Sequence, residues 1–264
     1  KDYLRFWLTG ELRSEMSDAA GTSWLDVGAR QWSETLIKAG GIDETILPAL
    51  VEGSSPAGDL KSELRKQWGI DGDVVVAGGA ADNAAAACGA GVLGEGQGFV
   101  SLGTSGVILA GRDGYAPKPE RAVHTFCHAV PNRWYQMGVT LAATDSLNWL
   151  SRIVSKSPKE LTDALGHDLH EPTAISFLPY LSGERTPHND SAIRGAFLGL
   201  DIAHTNIDLT KSNIDVTDKS IKESFSTSLS NINLHVNNFS LKQNSKFTYK
   251  IATNIDKSSK LNAK

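Results

Sequence analysis

Val74 to Leu109 reads VVVAGGAADNAAAACGAGVLGEGQGFVSLGTSGVIL, and the order of its breaks decides the fold. A β-branched run stops at Gly78 and Gly79, and the small residues Ala81 to Ala90 follow, which spells a strand, a sharp turn and a helix start. Asp82 and Asn83 therefore fall in the first helical turn. A carboxylate there meets unpaired amides and the positive end of the helix dipole, a setting that suits plain capping and proton acceptance alike. Further on, Phe99 to Leu102 and Val107 to Ala110 are strand-like and flank Gly103, Thr104, Ser105 and Gly106, the pattern of a hairpin. Glycines let neighbouring amides converge into an anion-binding nest, with two hydroxyls as further donors; an ordinary hairpin turn has the same composition.

Working outward, helical spacing recurs before this stretch. Tyr3, Leu4, Trp7 and Leu8 share one face, and Trp32, Leu36 and Ala39, then Leu60, Leu64 and Trp68, predict two core-facing helices that end at glycines. Helix and strand alternate, as an α/β layer architecture requires. Gly89, Gly91, Gly94, Gly96 and Gly98 mark a flexible crossing between domains. Beyond it, Val123 to Val130 and Trp134 to Val139 predict a second hairpin, and Leu147, Leu150 and Val154 a helix. His124 and His128 stand four apart, a metal spacing on a helix but not in a strand, so no metal site is expected. Asp18 is expected to cap or turn the chain, and SGERTPHND, with Glu184, Arg185, His188 and Asp190, reads as a solvated loop.

A formal charge of −4 gives no reason to expect a nucleic-acid partner, and no apolar run is long enough for a bilayer, so a soluble protein is expected. Cys88 and Cys127 form no CxxC pair and point to reduced thiols in the cytoplasm. The charge conceals a split: −8 up to Asn206 and +4 from Ile207 to Lys264. All 25 glycines, all 9 prolines and all 6 tryptophans precede the break, whereas 27 of the last 58 residues are Lys, Asn or Ser. In this tail INLHVNNFSL and SKFTYKIAT alternate like strands, and its foreign composition suggests fusion, frameshift or misassembly.

A carboxylate at a helix start, followed about twenty residues later by strand, GTSG and strand, resembles the FGGY carbohydrate kinases. KDYLRFWLTGELRSEMSDAAGTSWLDV (1–27), AVHTFCHAVPNRWYQMGV (122–139), FLPYLSGERTPHND (177–190) and GAFLGLDIAHT (195–205) are similar to that family too. The resemblance implies an incomplete α/β, actin-like ATPase (ribonuclease H-like) superfold. Residues 1–93 would be the last part of the N-terminal domain, 94–205 the first part of the C-terminal domain, and 206–264 an unassigned tail. It also implies ATP and Mg²⁺ as cofactors, a small sugar (a ketopentose) as substrate, and room for a homodimer of the full-length enzyme. Asp82 would be the catalytic base, Asn83 would bind the sugar, and Gly103, Thr104, Ser105 and Gly106 would bind the nucleotide phosphate. Rival readings are another sugar kinase of the family, of gluconokinase or glycerol kinase type, an actin-like or chaperone ATPase, and an inactive fragment that lacks the first phosphate loop and the adenine turn.

Overall fold

The computed structural model describes residues 1–166, 173–214, 233–237 and 248–252. Two compact units emerge, Lys1–Ile214 and Asp215–Lys264.

The first unit opens with helix α1 (Asp2–Thr9), strand β1 (Arg13–Glu15) and the short helix α2 (Met16–Ala19), whose cap is the Glu15 side chain rather than Asp18. Strands β2 (Leu25–Asp26) and β3 (Gln31–Trp32) pair before α3 (Glu34–Ala39), so Trp32 ends a strand and does not begin a helix. Strand β4 (Ala49–Val51) runs parallel to β1, and β5 (Pro56–Asp59) pairs across helix α4 (Ser62–Trp68) with β6 (Val75–Ala77). The expected core-facing helices differ from the sequence pattern. Helix α4 buries no residue, α3 buries Ile37 while Leu36 is exposed, and on α1 Arg5 is buried while Tyr3, Leu4 and Trp7 face outward. Arg5 is held inside because its guanidinium donates to Gly78 O (2.5 Å), to Arg13 O and to Asp2 (2.9 Å), exchanging hydration for fixed acceptors.

Helix α5 (Asp82–Gly89) then leads to a four-stranded antiparallel sheet in the order β7 (Gly98–Leu102), β8 (Gly106–Arg112), β10 (Trp134–Thr140), β9 (His124–Cys127). Register places Phe99, Leu109 and Met137 side by side on one face, with Tyr135 and Phe126 paired next to them. Ala84 and Ala87, three apart on α5 and fully buried, pack into this face. Side chains that small let the helix sit close to the sheet. Just beyond it, a Cβ on Gly111 would lie 2.3 Å from Gly94 O, so the glycine is what admits the crossing segment. That segment is pinned: Leu93 N and Gly94 N donate to Gln97 Oε1, Glu95 N donates to Asp113 and Arg112 pairs with Glu95 (2.6 Å).

Helices α6 (Thr144–Val154) and α7 (Pro158–Asp163) follow, and a second sheet runs β12 (Ala196–Leu198), β11 (Ser176–Leu178), β13 (Asn213–Ile214). Helix α8 (Asn206–Thr210), with a Thr205/Asp208 capping box, lies before β13. The composition break at Asn206 thus precedes residues that still pack within the first unit, which runs to Ile214. In the second unit β14 (Asn233–Asn237) pairs antiparallel with β15 (Thr248–Ala252), within the two stretches whose alternation predicted strands.

Ala84→Leu would force extra methylenes into the seam between α5 and the sheet. It should lower stability by about 1–3 kcal/mol in a thermal or urea melt.

Candidate functional site

Strand β6 ends at the glycine pair from which α5 springs. Gly78 N donates to Ser55 O (3.0 Å), Gly79 N donates to Gly53 O (2.9 Å), and a Cβ on Gly78 would sit 2.5 Å from Glu52 O. The next link comes from α2. Ser17 Oγ accepts from Ala81 N (2.9 Å) and donates to the buried Glu15 carboxylate (2.8 Å), so the residue before Asp82 is tied to a buried charge. Asp82 itself is exposed at the first position of α5. Its Oδ1 accepts from Asn83 N (2.6 Å) and from Asn83 Nδ2 (3.1 Å), while Oδ2 has no hydrogen bond among the described residues. One oxygen therefore fixes the carboxylate against the helix and the other faces no protein donor. Burial, and then the Asp82 charge, push the Tyr135 phenol well up.

The turn Gly103–Ser105 joins β7 to β8 and is exposed. Gly103 N donates to Ser105 O (3.0 Å). Both central carbonyls are consumed from beneath by the start of α6. Thr144 N (3.0 Å) and Thr144 Oγ1 (2.7 Å) donate to Gly103 O, and Ala143 N donates to Thr104 O (2.8 Å). In a planar trans peptide the C=O and the following N–H point in opposite directions. Hence the Thr104 and Ser105 amides point away from α6, and neither has an acceptor among the described residues. Hydrogen bonds into their carbonyls polarise the same peptide units, strengthening each N–H as a donor by about a tenth to a third. Two adjacent amides aimed outward are a donor pair of the kind that can hold an anion. The Ser105 hydroxyl is turned inward, donating to Leu141 O (3.3 Å).

Residues 1–89 match the model of the FGGY family of carbohydrate kinases, N-terminal domain, and residues 98–215 match the C-terminal domain model of the same family. The chain belongs to the FGGY family of carbohydrate kinases. It is 48% identical over 205 residues to a xylulose kinase of Escherichia coli K12, covering 77% of this chain and 42% of that protein. A xylulose kinase of Bacillus subtilis 168 is 41% identical over 212 residues, with 77% and 41% covered. Among solved structures, a "xyloylose kinase" from Brucella ovis superposes with TM-score 0.78 at 56% identity, over 80% of this chain and 44% of that one. A gluconate kinase from Lactobacillus acidophilus gives TM-score 0.71 at 26% identity, over 80% and 43%. The chain thus spans under half the length of these FGGY kinases, and its fold is their actin-like ATPase fold, incomplete.

Within this FGGY framework the structure joins Asp82 to Asn83, and it gathers Gly103 to Gly106 into one turn. No hydrogen bond links the two groups. Asn83 Nδ2 gives one N–H to Asp82, which leaves its second N–H and its carbonyl oxygen open to a ligand. The SGERTPHND segment departs from the expected solvated loop. Glu184 is 3% exposed and accepts from Thr140 Oγ1 (2.6 Å), Leu141 N (2.9 Å) and Arg185 N (2.7 Å), while His188 meets the Tyr180 hydroxyl at 3.0 Å. Sequence pattern missed Glu184, Ser17 with Glu15, and the start of α6, because none shows any periodicity and each acts through residues remote in the chain. No group of three His, Cys, Asp or Glu side chains suited to a metal occurs among the described residues.

His128 is buried against the loop that follows α5. Its Nδ1 accepts from Val130 N (3.0 Å), so Nε2 carries the proton toward Val92 O (3.0 Å). Burial lowers its pKa from 6.5, only partly offset by the Val92 carbonyl, and protonating Nδ1 would break the Val130 bond. The unfolded chain then binds more protons, so stability is full above 6.5 and falls as pH drops below it. Melting midpoints recorded from pH 7.5 down to about 5 should show this loss, with a smaller slope in His128→Gln.

Proposed function

We propose that this segment works in the ATP-dependent phosphorylation of D-xylulose to D-xylulose 5-phosphate. The observation that carries the reading is the 48% identity to a xylulose kinase, joined to family models whose matched ranges contain both Asp82 and the GTSG turn. Asp82 is the base, and its unpaired Oδ2 receives the proton of the sugar's C5 hydroxyl as that oxygen bonds to the γ-phosphorus of ATP and the bond to the β-phosphate oxygen breaks. Asn83 orients the sugar. The outward amides of Thr104 and Ser105 fit phosphate oxygens and stabilise the charge that develops there, and Gly103 and Gly106 leave room for the approach. Mg²⁺ accompanying ATP would supply neutralisation of phosphate charge. A carboxylate is a weak base, which suffices because phosphoryl transfer has a loose transition state dominated by positioning and charge neutralisation.

The likeness to a gluconate kinase favours a sugar acid as second reading. A coupled ADP-release assay of the full natural gene product across ketopentoses, gluconate and glycerol separates the two. Xylulose should be preferred, and preference for gluconate would replace the reading. In the same protein Asp82→Asn should cost about two to four decades in kcat with little change in ATP affinity, the usual contribution of a positioned base. Near-normal turnover would remove Asp82 from this role.

A further inference from the structure

We infer that Glu184 is the positioning residue of the phosphate-binding turn, a role that rests on the kinase reading above. The side chain lies on a different segment from the turn and makes no hydrogen bond to it, but it binds the junction between β10 and α6 on which the turn rests. Its carboxylate, buried and away from solvent, accepts from the hydroxyl of Thr140, the last residue of β10, and from the amide of Leu141, which follows it. Leu141 O in turn accepts from the Ser105 hydroxyl, and the methyl of Thr140 lies against Gly106, where a Cβ would come within 2.7 Å. Two residues on, Ala143 and Thr144 supply the amides that hold the Gly103 and Thr104 carbonyls down. Glu184 thus fixes the path from β10 into α6, and that path sets which way the two free amides face. A backbone held by one buried carboxylate resists rotation better than one held by neutral contacts, since bonds to a charged acceptor are about twice as strong.

The Glu184 loop is itself anchored. Glu184 and Asp190 exchange backbone hydrogen bonds (2.8 and 2.9 Å), and Thr186 Oγ1 accepts from Val139 N (3.0 Å) and donates to Ala122 O (2.8 Å). The carboxylate therefore approaches β10 from a fixed base.

The test uses the full natural gene product, with ATP affinity measured by calorimetry in the absence of sugar and sugar affinity measured separately. Glu184→Ala should weaken ATP binding about tenfold or more, because the turn loses its register, while sugar affinity stays within about twofold. Glu184→Gln keeps a carbonyl for the Leu141 and Arg185 amides and offers its NH₂ to the Thr140 oxygen, so it should restore ATP affinity to within about threefold. Should the alanine variant not fold, Thr140→Val cuts only the hydroxyl link and should show the same selective loss of ATP affinity at about two- to fivefold. Unchanged ATP affinity in the Ala and Val variants, or parallel loss of both ligands, overturns the inference. A wild-type protein that binds ATP but phosphorylates no sugar would refute the kinase reading, while the nucleotide measurement would still decide the role of Glu184.

Discussion

The N-terminal amides of α6 have no partners within their own helix, and they spend themselves on the carbonyls of Gly103 and Thr104. From that exchange the rest of the site follows. Because each peptide unit is planar, anchoring its oxygen below forces its N–H above, and two neighbouring units so anchored present a pair of donors to solvent. The helix end is thus relayed through the turn: its partial positive charge reaches the far side as polarised amides instead of as bare N–H groups.

The other half of the site rests on the same device in a different form. Arg5 and the Ser17–Glu15 pair fix the backbone from Gly78 to Ala81, so Asp82 emerges at the first position of α5 with one oxygen tied to Asn83 and one open. Small residues on α5 and the lack of a side chain at Gly111 bring this helix and its exit segment down onto the sheet that carries the turn. Buried charges thus hold backbone on both sides: Glu15 behind the start of α5, Glu184 at the junction of β10 with α6.

Much of this was legible in the sequence, for identifiable reasons. Strand, turn and helix around Gly78, and the hairpin around GTSG, are local patterns in which Gly, Val and Ala act within a few residues. The helices of the first seventy residues were legible as helices, but their burial was not. Leu64 and Trp68 have core-like spacing on α4, yet Trp68 is exposed and packs its ring against Trp7 at 6.3 Å. Glu184 could not be told from a solvated loop charge, because what makes it buried is the amide of Leu141, 43 residues away. Likewise the glycine-rich crossing from Gly89 to Gly98 read as loose, whereas Gln97, Asp113 and Arg112 pin it through contacts that composition does not announce.

Residue-resolved hydrogen exchange addresses the direction of the two peptide units at the turn most directly. With their carbonyls held by α6, Thr104 and Ser105 should exchange at near-unprotected rates, while Ala143 and Thr144, which make those bonds, should be strongly protected. Protection of Thr104 and Ser105 equal to that of Ala143 and Thr144, or loss of protection at all four, would contradict the outward-facing arrangement on which the proposed phosphate site depends.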